Sequence, residues 1–160
     1  MSLSVEDVLK SRKDDLRGRT ITPQEVSELT AGVGDKLLPA HLLDWLGSYP
    51  LAGTEFSLSE EEDESGLGVE MQWLTPSQMV SETVDTYPGI VAGPLGYLPV
   101  GMCLEGSGDP YFVKTDAGDD PPVVRIPHEA ADADGGSLDL DRIEQVTPRL
   151  SDFLRKAEIG

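Results

Sequence analysis

The sequence predicts an α+β domain, an antiparallel β-meander sheet packed with N-terminal, middle and C-terminal helices. Three observations lead there. Helix-start signals recur at Ser4, Thr22, Thr75 and Thr147. Strand-like runs follow one another through the middle of the chain, from Val69 to Ile126. The last segment returns to helical spacing, with Leu150, Phe153, Leu154 and Ala157 at i, i+3, i+4 and i+7. Helices first, strands consecutive and a helix last differ from the strict alternation of an α/β chain.

The first helix is predicted over Ser4 to Arg17, capped by Ser4 with Asp7 three residues on, and Val5, Val8, Leu9 and Leu16 form its stripe. Thr22-Pro23-Gln24-Glu25 is a capping box with proline at the first helical position, opening a helix that Gly32 and Gly34 end. Pro39 to Leu46 makes a third, with Leu42, Leu43 and Leu46 inward and His41 and Asp44 outward. Thr75-Pro76-Ser77-Gln78 opens a fourth, with Met79, Val80 and Val84 inward. Thr147-Pro148 opens the last.

Between the third and fourth helices, from Gly53 to Gly68, no periodic pattern holds, and Ser59 to Ser65, with five consecutive acids at Glu60 to Glu64, reads as an exposed, mobile loop. Val69, Met71 and Trp73 then alternate with polar residues, as in a half-buried strand. The centre is a hairpin. Tyr97 to Leu104 is apolar almost throughout, as in a strand covered on both faces, and Tyr111 to Thr115 is β-branched and aromatic. Gly106-Ser107-Gly108-Asp109 joins them, with glycines for the positive φ of a reversal. Val100, Met102, Leu104, Tyr111 and Phe112 are expected to hold the sheet, with Asp109 at its rim. Val123 to Ile126 is the next strand, and a short one is expected over Ile143 to Val146.

At 160 residues the chain can form a real core without staples. Its one cysteine, Cys103, excludes an internal disulfide and reads as a small buried hydrophobe. No apolar run reaches membrane-spanning length, and a charged start leaves no signal-peptide core, so a cytoplasmic protein is expected. Thirty Asp and Glu against twelve Lys and Arg give a net charge of −18. Residues 37 to 113 contain 12 acids and no Lys or Arg, whereas five bases outnumber four acids in the first twenty. Such a chain repels nucleic acid and anionic lipid and attracts a basic protein surface; the same acidity also serves solubility.

Motifs of catalysis are missing. Gly106-Ser107-Gly108-Asp109 lacks the frame of a nucleophile elbow and joins two strands rather than a strand to a helix. Two histidines without a ligand spacing suggest no zinc site, so no metal or cofactor is expected. Asp132 to Asp141 begins like a calcium loop but carries Gly136, Ser137 and Ile143 at three fixed positions; loose cation binding by Asp132, Asp134 or Asp116 stays open beside a solvated loop. Trp45, Trp73, Tyr111, Phe112 and Phe153 read as core.

The order of features resembles the SUKH superfamily, which includes bacterial immunity proteins and the Smi/Knr-type cell-wall assembly regulators. The resemblance runs from about Thr22 to Leu154. It rests on the Glu25 helix, Leu38-Pro39 before Leu42, Leu43 and Leu46, and a strand ending Trp73-Leu74 before Thr75-Pro76. It continues through LPVGMCLEGSGDPYFV, Pro122-Val123-Val124, Pro127-His128-Glu129 and the closing Leu150-Ser151-Asp152-Phe153-Leu154. Ser48 to Gly53 departs from the family's usual Asn-Gly. Residues 1–21 then read as a basic helical extension and 22–160 as a single domain of this type.

The resemblance implies a non-enzymatic protein-binding module, most directly an immunity protein that neutralises a toxin, often a nuclease. A regulatory or scaffolding module of the Smi/Knr type is the alternative, and a metal-dependent small hydrolase the third. For the first reading, a basic toxin surface would meet Glu60, Glu61, Glu62, Asp63, Glu64, Glu70 and Asp109. Asp109 could equally bond its own turn backbone, and Glu60 to Glu64 could be a merely solvated loop.

Overall fold

Consecutive strands pair with one another across almost the whole sheet. The computed structural model describes residues 3–105, 108–132 and 134–160. The strands are β1 (Glu55–Leu58), β2 (Val69–Trp73), β3 (Tyr97–Cys103), β4 (Tyr111–Lys114), β5 (Val123–Arg125), β6 (Ala131–Asp132), β7 (Ser137–Leu138), β8 (Glu144–Thr147) and β9 (Glu158–Ile159). Seven form one curled antiparallel sheet in the order β8-β5-β4-β3-β2-β1-β9, and β6 and β7 pair separately. The helices are α1 (Val5–Arg12), α2 (Pro23–Val33), α3 (Ala40–Ser48), α4 (Pro76–Val84), α5 (Gly89–Ala92) and α6 (Leu150–Lys156). The α+β meander therefore stands, and no described helix is long and apolar enough to cross a membrane.

The main core lies between the helices and one sheet face. Phe56, Met71, Trp73, Val100, Tyr111 and Val113 meet Leu9, Leu29, Leu46, Leu150 and Phe153 there. Phe56 stacks edge-on with Trp73 and Phe153, at centroid distances of 6.5 and 5.6 Å. Phe112 and Val124 point the other way, into a smaller cluster with Ala92, Ile126 and Ala130. The central strands are thus covered on both faces, as their apolar runs require. α1 belongs to the main core too: Val5, Val8 and Leu9 are buried in it, and the Arg12 guanidinium donates to Leu154 O at 2.7 Å and Ala157 O at 2.5 Å.

Several elements differ from expectation. α1 stops at Arg12 rather than Arg17, because Asp14 and Asp15 would place negative charge against the helix C-terminus. Leu16 is buried beyond the helix. The next residue but one, Gly18, donates to Pro50 O (3.1 Å) and Thr54 Oγ1 (2.8 Å), and a Cβ there would strike the Ala52 carbonyl oxygen. In α4 the inner stripe is Pro76, Met79 and Thr83, while Val84 is 48 % exposed. Thr83 can replace an apolar residue because its hydroxyl donates to Met79 O at 2.7 Å. Leu104 is likewise exposed and Met102 only half-buried against the core, whereas Val100, Tyr111 and Phe112 are buried as expected and Leu98 joins them.

Thr147 does not cap the last helix. It ends β8, and α6 begins at Leu150. One first-turn N–H is met by Asp120 from a distant loop, which accepts from Ser151 N at 2.8 Å and from the Ser151 hydroxyl. The patternless segment Gly53 to Gly68 contains β1, whose Phe56 and Leu58 face inward opposite Met71 and Val69. Of the expected Gly106–Asp109 turn, Gly106 and Ser107 lie outside the described residues; Gly108 has φ +76°, the left-handed value a glycine supplies freely.

Candidate partner-binding cleft

In an antiparallel meander the end of each strand lies beside the start of the next. Here the ends of β1, β3 and β5 and the starts of β2, β4 and β8 share one edge of the sheet. Sheet curling makes that edge concave, a cleft of about 890 Å³. Glu60 and Glu70 line it from the β1–β2 side, Glu105 and Asp109 from the central hairpin, and Glu129, Asp141 and Glu144 from the far side. Cys103, half-buried rather than in the core, lies on its wall.

Two arginines face these seven carboxylates, and one is already committed. Arg125 sits on the cleft floor, 4 % exposed. Its Nη2 lies 3.2 Å from Asp63 Oδ2 and donates to Gly68 O (2.8 Å) and the Tyr111 hydroxyl oxygen (3.1 Å). Its Nη1 donates to Ser65 Oγ (2.8 Å) and reaches Glu144 Oε1 at 3.3 Å. Burial alone would lower the Arg125 pKa, but the Tyr111 hydroxyl and Asp63 carboxylate hold it above the ordinary value. Burial pushes the Tyr111 hydroxyl up against the opposing pull of Arg125. The second cation, Arg142, is exposed and pairs with Asp139 at 3.4 Å. The cleft surface is therefore strongly acidic.

Of the residues expected to meet a partner, the structure brings Glu60, Glu70 and Asp109 together in this cleft. Glu61 is exposed outside it. Glu62 pairs with Lys156 at 3.4 Å, and Glu64 accepts from Gln145 Nε2 at 2.8 Å. Asp63 is 2 % exposed and turned inward to Arg125, so it cannot lie on a contact surface. The acidic run is thus no detached loop. Glu64 N donates to Val146 O at 2.9 Å, which covers the outer edge of β8. Glu105, Glu129, Asp141 and Glu144 were missing from the expected set, because acids scattered over 40 positions give no local signal until the meander gathers them.

Asp109 does more than turn the hairpin. Its Oδ1 accepts from His128 N at 3.1 Å and lies 2.6 Å from His128 Nδ1, tying β4 to the turn after β5. An imidazole held by a carboxylate is half of a base–nucleophile arrangement, but no described serine, threonine or cysteine hydrogen-bonds that ring. Among the described residues no group of three or more His, Cys, Asp or Glu is placed to hold a metal ion. Asp132 spends its carboxylate on Asp134 N and Gly135 N, and Asp116 pairs with Lys114 at 2.6 Å. No family model, curated protein or solved structure matches the chain.

Proposed function

We propose that this chain is a non-enzymatic protein-binding module of the immunity type, whose cleft receives the basic surface of a toxin domain. One observation carries the reading: seven carboxylates from five stretches of sequence converge on one concavity in which one exposed arginine opposes them. Gathering like charge costs stability, so its concentration on a single face favours a surface kept for a cationic partner. A nuclease domain must hold phosphates and so carries such a surface, which an acidic module can occupy in place of nucleic acid. The resemblance to SUKH immunity proteins points the same way.

The test uses the native cell and toxin-bearing neighbours as sources. A basic protein is expected to bind the immobilised chain at low salt and leave at high salt. Its toxicity when produced alone should be suppressed by co-production of this chain. A variant with Glu60, Glu70, Glu105 and Glu129 changed to Gln should fail to protect. Retention of no basic protein, or full protection by the neutralised variant, overturns the reading.

A further inference from the structure

A second concavity lies at the opposite edge of the sheet from the cleft. It adjoins Gly96, just before β3, and Asp116, just past β4, whereas the cleft adjoins the end of β3 and the start of β4. This groove of about 630 Å³ is walled by Val33 from the end of α2, Val84 from the end of α4, Ile90 from α5 and Pro94 from the turn that follows. The buried Leu37 forms its floor. Its size is that of a small-molecule site. The groove also accounts for Val84, which lines it while 48 % exposed instead of joining the core.

The two other polar side chains on the walls are already engaged. The Thr83 hydroxyl donates to Met79 O at 2.7 Å, and Asp116 is paired with Lys114 at 2.6 Å. An apolar chain entering there gains roughly fourfold in affinity for each methylene it buries. One charge is left over. Lys36 lines the groove, is exposed, and forms no ion pair or side-chain hydrogen bond among the described residues. It is also the one cation between Arg19 and Lys114. Apolar walls with a single free ammonium group call for an apolar tail with a single negative head.

We propose that this groove binds an alkyl carboxylate, its tail against Val33, Leu37, Val84 and Ile90 and its carboxylate meeting Lys36. The walls come from the ends of α2 and α4 rather than from their length, which suits a small ligand better than a docked helix. The site shares no residue with the acidic cleft, so the two readings stand or fall separately.

The test titrates the isotope-labelled full chain with octanoate and, separately, butanoate, followed by amide NMR shifts. About 0.15 M salt screens the repulsion of an anion by the chain's net charge beyond roughly 8 Å. Octanoate is expected to shift signals of the groove residues and to bind about tenfold tighter than butanoate, or more. Lys36→Gln should weaken octanoate about threefold, and Lys36→Arg should restore it. Val84→Gln should weaken octanoate and narrow its advantage over butanoate. Both side chains are exposed, so the variants are expected to fold, which thermal melting checks. Equal binding of the two acids, shifts confined to other surfaces, unchanged octanoate affinity in Lys36→Gln, or no binding at all overturns the proposal. A dimer in sedimentation that Val84→Gln dissolves would give the groove to a second copy of the chain and overturn it too.

Discussion

Arg125 and Asp63 stand 62 residues apart in sequence and form a buried ion pair, Nη2 to Oδ2 at 3.2 Å, with side chains 5 % and 0 % exposed. The pair pins the acidic segment to β5 beneath the cleft. Arg125→Met would strand the Asp63 carboxylate in the interior, and a loss of about 3–5 kcal/mol is expected in urea denaturation. Asp63→Leu combined with Arg125→Met should lose less than Arg125→Met alone, because no charge is then left unpaired. A single variant as stable as the parent would show that the pair contributes nothing.

Glu25 gives the chain an acid-sensitive contact. Its carboxylate takes two bonds from Arg19, each 2.8 Å, and one from Thr22 N at 3.1 Å. The Arg19 bonds chiefly, with Thr22 N, hold its pKa down at about 2, against an ordinary glutamate value of 4.5. Because the folded value is the lower, this stabilisation is complete above pH 4.5 and is lost as pH falls towards 2. Glu25→Gln should flatten the stability–pH profile in that window and leave its shape unchanged above about pH 5.5, roughly one unit above the unfolded value. Identical acid limbs in the two proteins would refute the assignment.

Gly18 is required by contact rather than by turn geometry. A methyl group would meet the Ala52 carbonyl oxygen and stand against Pro50 O at 2.9 Å, both main-chain atoms. Gly18→Ala is expected to cost about 1–3 kcal/mol, as for other overpacked sites. Protease susceptibility of the segment before Ile21 should rise with it; unchanged melting would exclude the clash.

Asp120 caps α6 across the fold, so Asp120→Ala should cost about 1 kcal/mol although it lies 31 residues from Ser151. Asp120→Asn, which keeps an acceptor for Ser151 N, should recover most of that. Denaturation midpoints of the two variants check the difference.

Cleft carboxylates separate function from stability. Glu70→Gln, Glu105→Gln and Glu129→Gln together remove three exposed charges from a chain of net charge −18. The variant should melt at the same or a higher temperature, since self-repulsion falls, while its affinity for a basic partner drops at low salt. A lower melting temperature would mean that these side chains serve the fold.

Features closed within a few residues are legible in the sequence. The capping boxes at Ser4, Thr22 and Thr75 form as their spacing requires, because each is closed within four residues. The alternation of Val69, Met71 and Trp73 is the burial pattern of β2. Thr147-Pro148 misled because the same dipeptide can end an edge strand, and what decided was an acceptor supplied by Asp120. The acidic run misled similarly. Its composition speaks for water, and only the distant Arg125 makes burial of one member, Asp63, favourable.

By itself, then, the sequence determined the helices with closed caps, the strands with clean alternation, the meander order and the acidity. These follow from interactions within a few residues or from totals. Tertiary structure alone decided where the acidity goes. Antiparallel pairing brings strand ends that are far apart in the chain to one edge, and there it gathers Glu60, Glu70, Glu105, Asp109, Glu129, Asp141 and Glu144. It also turned Asp63 inward and left Leu104 exposed. A side chain's fate there depends on partners that no local pattern encodes.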